Sequence, residues 1–246
     1  MSILNTGGFA AFFVRLKFLS NKTTVVFFPL VFWIAIVALS LAWNIGYVNE
    51  SMTITIRSIG QAFFREIETT RLWNAQHGGV YVLVTESTRP NQYLDIPDRD
   101  ITTLDGLHLT KVNPAFMTRQ ISEIAQQQNN VRYHITSLNP IRPENRADGW
   151  ESDALRQFEQ GATEVLDLVY NLAPGTDNAQ SIPTYRYMAP LQVTSSCLKC
   201  HSRQGYQTGD IRGGISINIP ASEYLYTMQR SRNSLIAIHI SVMFLG

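Results

Sequence analysis

A run of about 23 residues without a charge, from Val25 to Tyr47, constrains this chain more than any other feature. It is long enough to cross the hydrocarbon core of a bilayer as one helix, which takes about 20 apolar residues. Trp43 and Tyr47 stand near its far end, where aromatic side chains often meet the membrane surface. A cleaved signal peptide is the alternative, but its apolar region would be shorter. We therefore predict an uncleaved transmembrane helix at residues 25–47.

The charges on either side of this run differ in sign. Arg15, Lys17 and Lys22 precede it, and the first charge after it is Glu50. Positive charge favours the cytoplasmic side of a membrane. We predict that residues 1–24 are cytoplasmic and that the domain after the run lies outside.

A second apolar stretch, Leu235 to Phe244, follows Arg230 and Arg232. It is too short to span a bilayer by itself. We predict that residues 223–246 form a helix entering a second, incomplete transmembrane segment. A short docked helix is the alternative.

Both cysteines of the chain stand in the motif Cys197-Leu198-Lys199-Cys200-His201. This spacing is typical of covalent haem attachment, in which each thiol adds across one vinyl group to form a thioether. The histidine that follows can then bind the iron as the proximal axial ligand. We predict one covalently bound haem c, held by Cys197, Cys200 and His201.

Three other interpretations of the two cysteines are weaker. A structural zinc site takes four ligands, and no pair of histidines at zinc-site spacing completes one here. A thioredoxin-like dithiol belongs at a turn between a strand and a helix, whereas this motif stands in a loop pattern. A plain disulfide is the third. Because thioether haem is assembled outside the bacterial cytoplasm, we predict a protein of the bacterial inner membrane with its haem domain in the periplasm.

Between the two apolar stretches, the pattern predicts an α+β domain. Apolar residues recur every three or four positions after Asn49, which predicts an amphipathic membrane-proximal helix at residues 48–70. Its narrow stripe suits packing on its own domain or a homodimer seam. His77 precedes the helix-ending pair Gly78-Gly79. His77 could bind a flat ligand that approaches the glycines, or it could cap the helix by hydrogen bonding to its last carbonyl groups.

Residues 71–222 are predicted to form a PAS-like domain, an antiparallel sheet covered by helices. The further elements are a strand at Val80–Val84, a helix from the Asn113 cap to about Gln128, a strand at Val131–Leu138, a helix from Trp150 to about Leu172, and strands near Thr184–Leu191 and Asp210–Pro220.

Composition excludes several classes of function. The formal net charge is +1, from 20 basic and 19 acidic residues, so no basic nucleic-acid footprint is present. The sequence contains no nucleotide-binding loop, hydrolase triad or paired catalytic carboxylates. We predict no enzymatic activity within these residues. A peroxidase would need an open distal site with a base and an arginine, for which Arg132 and Arg186 are the candidates.

Several stretches together resemble the Tll0287-like haem-binding domain, found at the extracytoplasmic end of bacterial sensor kinases and related signalling proteins. They are Leu72–Val82, Leu109–Gln120, Ser137–Pro140, Pro143–Asn145, Arg186–Leu191, Cys197–His201, Gly205–Tyr206 and Gly209–Ser216. The resemblance covers residues 49–220 and implies a PAS-like fold with one c-type haem and a redox or gas-sensing role.

The resemblance also implies a ligand on the opposite face of the haem. A soluble member of the family has a cysteine there, on its first helix, and this chain has no third cysteine. We predict His77 as the distal ligand, with His134 and then Met188 as alternatives. His108, in a polar stretch, ranks last.

Two functions follow from these predictions. The first is a membrane-anchored haem c sensor of redox state or of a diatomic gas, feeding an output such as a histidine kinase. The second is a membrane-anchored c-type cytochrome for electron transfer. Both predict the membrane and haem as partners, and a redox partner or gas ligand besides.

Overall fold

The computed structural model of the protein describes residues 22–172, 181–195, 198 and 204–245. Those residues divide into two compact units. One unit is Ile54–Glu223, and the other combines residues 22–53 with residues 224–245.

The helices and strands are numbered here in chain order. The helices are α1 (Lys22–Gln76), α2 (Pro114–Asn129), α3 (Gly149–Glu159) and α4 (Ser222–Leu245), with one 3₁₀ turn at Pro143–Asn145. The strands are β1 (Val80–Leu83), β2 (Asp100–Thr102), β3 (His108–Val112), β4 (Arg132–Thr136), β5 (Val165–Leu172), β6 (Ser181–Gln192) and β7 (Ile211–Pro220).

The strands form two antiparallel sheets. The smaller has the order β1-β3-β2, and the larger has the order β4-β7-β6-β5. A mixed fold of helices and antiparallel sheet is therefore confirmed, as is one long apolar helix at the start of the described chain. The PAS-like character of the fold stays a prediction.

The larger sheet buries both of its faces. Side chains alternate along a strand, so Ile215 and Ile217 of β7 share one face with Tyr187 of β6. The part of α1 after Ile54 covers this face, where Phe63 meets Tyr133 edge to face at 6.1 Å between ring centroids. On the other face, Met188 packs with Ala154, Leu155 and Phe158 of α3.

The amphipathic helix predicted at residues 48–70 is part of α1, which continues to Gln76. Its apolar stripe packs on its own domain, since Ile56 and Ile67 are 0% and 3% exposed in the single chain. Gly78 and Gly79, at φ of 73° and 92°, end the helix as predicted, because a side chain is disfavoured in that conformation. A homodimer stays a prediction, but this stripe is not available as its seam.

The helix predicted from Trp150 to Leu172 is wrong in its second half. Helix α3 stops at Glu159, and Val165–Leu172 is strand β5. Gly161, at φ of 100°, provides the left-handed residue that turns the chain from helix to strand. The β-branched residues after it then pair with β6.

The apolar start of α1 leaves its side chains uncovered. From Val25 to Ile36 most of them are exposed, with Phe32 at 67%. Among the described helices, the stretch from Val25 along α1 has the length and apolar character that a membrane-crossing helix needs. The second membrane segment stays a prediction, although α4 does run without a break from Ser222 to Leu245.

Candidate functional site

The attachment motif itself, with Cys197, Cys200 and His201, lies outside the described residues. The chain on both sides of it is described. Strand β6 ends at Gln192, and the buried Val193 pairs with the residues just before β7. Val193 N–H donates to the Asp210 carbonyl at 2.9 Å, and Gly209 N–H donates to the Val193 carbonyl at 2.9 Å. The described residues before and after the motif are therefore joined by backbone hydrogen bonds at one end of β6 and β7, the two central strands of the larger sheet.

The turn between β4 and α3 contacts the chain that follows the motif. Gln204 donates its side-chain amide to the carbonyl of Asn139 at 3.2 Å. On the same turn Leu138 and Ile141 leave 48% and 44% of their surface exposed. A small cavity of about 100 Å³ opens here. Its lining residues are Ser137, Leu138, Leu155, Glu159, Tyr206, Ile211, Arg212 and Gly213.

His77 lies at the end of α1 with an exposed ring. Its Nδ1 is 2.7 Å from the carbonyl of Trp73, an acceptor, so Nδ1 carries the hydrogen. The ring also lies over Trp73, with centroids 4.4 Å apart. Among the described residues Nε2 has no hydrogen-bond partner, which leaves this atom able to bind a metal.

His134 is held by hydrogen bonds on both ring nitrogens. Nδ1 lies 2.9 Å from Glu151 Oε1, and Nε2 lies 3.1 Å from the carbonyl of Glu144. Burial opposes a charge on the ring, but the hydrogen bond and charge of Glu151 outweigh it, and the pKa of His134 is raised above 6.5. Two acceptors facing two ring nitrogens favour the imidazolium, which donates to both.

Met188 and His108 have different surroundings. Met188 is 0% exposed within the core between the sheet and α3. It shares a cross-strand row with His134, since both are paired with Ser216. His108 lies at the start of β3, with Nδ1 3.1 Å from the hydroxyl of Thr102. The structure thus brings His134 and Met188 together on the α3 face, whereas His77 ends α1.

A buried ionic network surrounds His134, and the sequence analysis missed it. Glu151 is 1% exposed, and Arg186 Nη2 lies 3.2 Å from its Oε1 and 2.8 Å from Asp148 Oδ2. Asp148 and Glu151 also form a capping box at the start of α3. That D-x-x-E spacing was a visible signal in the sequence. The partnership with Arg186 was not visible, because it joins residues about 35 positions apart.

A second carboxylate, the half-buried Glu164, joins α1 to the larger sheet. It accepts hydrogen bonds from Arg57 Nη1 at 2.6 Å, Gln61 Nε2 at 2.9 Å and the Tyr187 hydroxyl at 2.8 Å. Burial raises the pKa of Glu164, but these three donors outweigh it and the pKa is lowered. Burial and the neighbouring Glu164 raise the pKa of Tyr187. These contacts link α1 to β6, the strand that precedes the motif from Cys197 to His201.

No group of three or more His, Cys, Asp or Glu side chains suited to holding a metal occurs in the described part of the chain. His77 and His108 are the described histidines that combine an exposed ring with an unbonded Nε2.

Two comparisons with known proteins found a match. The family model Tll0287-like matches residues 47–220. Among solved structures, the chain is similar to the crystal structure of the cyanobacterial heme-protein Tll0287, at 15% identity and a TM-score of 0.40. That alignment covers 70% of this chain and 95% of the other. No curated protein matches the sequence.

Proposed function

The chain belongs to the Tll0287-like family, and from this membership we propose that residues 71–222 are a PAS-like domain carrying one covalent haem c. The domain would act as the periplasmic sensor of a membrane signalling protein. The observation that carries the proposal is the family match over residues 47–220, which includes the whole motif from Cys197 to His201.

The described residues near the two ends of the motif would offer apolar surface, an aromatic ring and a positive charge to a bound haem. Leu138 and Ile141 expose apolar surface there, Tyr206 adds an aromatic ring, and Arg212 adds a positive charge. The fastened loop ends at Val193 and Asp210 would give the motif a fixed base on the sheet.

The proposal gives each site residue one role. Cys197 and Cys200 would tether the porphyrin, and His201 would bind the iron on one face. His77 is the proposed ligand of the opposite face, because it directly follows the first helix and its Nε2 is free among the described residues. Bound haem would supply an iron that changes oxidation state or exchanges a ligand such as NO, CO or O₂.

A signal from the haem would be transmitted through α1, the helix that ends just before His77. Residues 57 and 61 of α1 are fastened to Glu164, and the same helix continues toward the apolar run at residues 25–47. A ligand can shift a conformational equilibrium only if it binds two conformations with different affinity. Breaking or forming a bond at His77 would provide such a difference at the end of α1.

Two membrane segments, one before the haem domain and one after it, would hold the domain at the periplasmic face of the membrane. We propose residues 25–47 as the first, with the N-terminus cytoplasmic and the haem domain periplasmic. The second would begin near Leu235. Its support is the exposed apolar surface of α4, where Ile238 and Phe244 are 54% and 82% exposed. Exposed apolar surface of this extent is unfavourable in water. We also expect a homodimer, which light scattering of the detergent-solubilised protein would detect.

The first test is spectroscopic. Purified full-length protein should give the pyridine haemochrome spectrum of haem c and keep its haem under denaturing electrophoresis. The double variant Cys197→Ala, Cys200→Ala should lose covalent haem, because no thiol remains to form a thioether. Haem that stays covalently bound in this variant would contradict the proposal.

The second test concerns the distal ligand. His77→Ala should convert a low-spin six-coordinate spectrum to a five-coordinate or water-ligated one, with His108→Ala as the matched control. An unchanged low-spin spectrum for His77→Ala would exclude His77. A haem that passes electrons to a redox partner, with no change in α1 on reduction, would favour electron transfer over sensing.

A further inference from the structure

One polar contact joins two apolar helices in the unit formed by residues 22–53 and 224–245. The side chain of His239 in α4 lies against α1, with its Nε2 3.1 Å from the hydroxyl oxygen of Ser40. Its Nδ1 lies 2.8 Å from the carbonyl of Leu235, one turn earlier in α4. Asn44 donates its side-chain amide to the carbonyl of Ser40 at 2.7 Å and lies 3.4 Å from the Ser40 hydroxyl.

The partners fix which atom donates. A backbone carbonyl only accepts, so Nδ1 of His239 must carry the hydrogen that faces Leu235. Nε2 is then the acceptor, and the Ser40 hydroxyl donates to it. The imidazole is satisfied in its neutral form, with both nitrogens used.

Exposed apolar side chains surround this polar contact. On α1, Leu39 is 72% exposed and Ile36 is 43% exposed; on α4, Ile238 and Ile240 are 54% and 46% exposed. These apolar side chains would face lipid. In lipid a polar side chain has no water to bond, so polar residues in membrane helices generally face one another. Interhelical hydrogen bonds of this kind stabilise helix pairs modestly.

The less exposed positions of the two helices agree with such a pairing. They recur at spacings of three and four along each helix, as expected for packed helices. On α1 they include Trp33, Val37, Leu41, Asn44 and Val48, and on α4 they include Leu225, Met228, Arg232, Leu235, His239 and Met243.

We propose that Ser40, Asn44 and His239 form an intramembrane contact that sets the register between the two membrane helices of this chain. The inference rests on the proposed second membrane segment. If the contact forms, His239 in the apolar C-terminal stretch pairs with Ser40 of α1 in one register of the two helices. A slide of one helical turn, about 5.4 Å, would place His239 against another residue of α1.

Cysteine cross-linking of the full chain in native membranes tests the contact. The pair Ser40→Cys, His239→Cys should form an intrachain disulfide under mild oxidation. The matched control is Leu39→Cys with His239→Cys, because Leu39 is exposed on another side of α1. Equal cross-linking of the control pair, a dominant Asn44→Cys, His239→Cys cross-link, or a link only between two copies would overturn the proposal.

A second measurement separates a register contact from simple proximity. The pair Val37→Cys, Met243→Cys stands one turn further along both stripes and leaves Ser40 and His239 in place. Adding Ser40→Ala or His239→Leu should lower its cross-linking yield at least about threefold, the factor that an ordinary interhelical hydrogen bond supplies. An unchanged yield would overturn the register role.

A reporter fused to the C-terminus of the full-length protein distinguishes this inference from the membrane topology it rests on. A cytoplasmic reporter together with the Ser40–His239 cross-link supports both. A periplasmic reporter refutes the second membrane segment and with it the intramembrane contact, even if the cross-link forms. A cytoplasmic reporter without the cross-link refutes the contact and leaves the proposed topology standing.

Discussion

At the scale of single residues, Glu151 is a carboxylate that the fold buries almost completely. It is 1% exposed, and its charge is balanced by His134 and Arg186. A buried charge is tolerated only where partners and hydrogen bonds replace water. Arg186 also lies over the ring of Trp150 at 4.4 Å, so the network joins α3, β4 and β6.

The first prediction at this scale removes that charge. Glu151→Gln should destabilise the protein by about 3 kcal/mol, because Arg186 is left in a site with less negative charge. The exposed Glu159 of the same helix provides the control, and Glu159→Gln should have little effect. Urea unfolding followed by circular dichroism measures both, and equal stability of the two variants would contradict the structural role of Glu151.

The second prediction is a pH dependence that arises from His134. Its pKa is raised in the folded protein, so the folded state holds this proton more tightly than the unfolded chain does. The stabilisation is complete below pH 6.5 and is lost as pH rises through the higher folded pKa. Between about pH 6 and 9 Glu151, whose pKa is lowered, stays ionised and does not contribute to this change.

Thermal unfolding at a series of pH values checks this prediction. The melting temperature of the unaltered protein should fall as pH rises above 6.5, and His134→Gln should flatten that fall. His108→Gln, at the exposed first position of β3, should leave it unchanged. The same slope in all three proteins would show that His134 is not the titrating group.

Among the elements, α1 depends on a close approach to the sheet. A Cβ atom on Gly60 would lie 2.5 Å from Cγ of the Tyr187 ring, far inside normal contact distance. The absence of a side chain lets the helix pack directly on β6, where Tyr187 also donates to Glu164. Gly46, in the same helix, has no atom within 4 Å of its Cβ position.

The two glycines give a matched pair of variants for this third prediction. Gly60→Ala should destabilise the protein by about 1–3 kcal/mol, because the helix must move away from the sheet. Gly46→Ala should be neutral or slightly stabilising, since alanine favours a helix over glycine by about 1 kcal/mol. Chemical denaturation in detergent would measure the difference, and similar values for both would argue against close packing at Gly60.

The boundary between α3 and β5 explains why the sequence was misinterpreted in that region. Apolar residues at Leu155, Phe158 and Val165 are compatible with a helical period, and this spacing suggested one long helix. Gly161 and the β-branched residues after it compete with that pattern. Pairing of β5 with β6 decides the outcome, and such pairing between distant residues is not visible in local spacing.

At the scale of the whole molecule, the fourth prediction concerns the side of the membrane on which the domain lies. In spheroplasts, added protease should cleave the exposed segment around Glu86–Gln92, while an N-terminal tag stays protected. Inside-out vesicles should give the reverse pattern, and they serve as the control. Immunoblotting measures both, and protection of the domain in spheroplasts would contradict a periplasmic location.

The sequence by itself determined the features that are encoded locally. The apolar run at residues 25–47, the end of α1 at Gly78-Gly79, the Asn113 cap of α2 and the attachment motif each depend on neighbours a few positions apart. The helix and strand periods near Met52 and Ile215 likewise follow from local spacing. Family membership also followed, because the motifs from Leu72 to Ser216 stand in a recognisable order.

Only the tertiary structure decided which distant groups meet. Glu151 with Arg186, Glu164 with Arg57, and His239 with Ser40 are partners because strand pairing and helix packing bring them together. It also fixed the surroundings of the candidate ligands, with Met188 in the core, His134 bonded on both nitrogens and His77 on an exposed helix end. The reason is physical: burial and pairing depend on the whole packed chain, whereas local sequence sets only the period and the ends of each element.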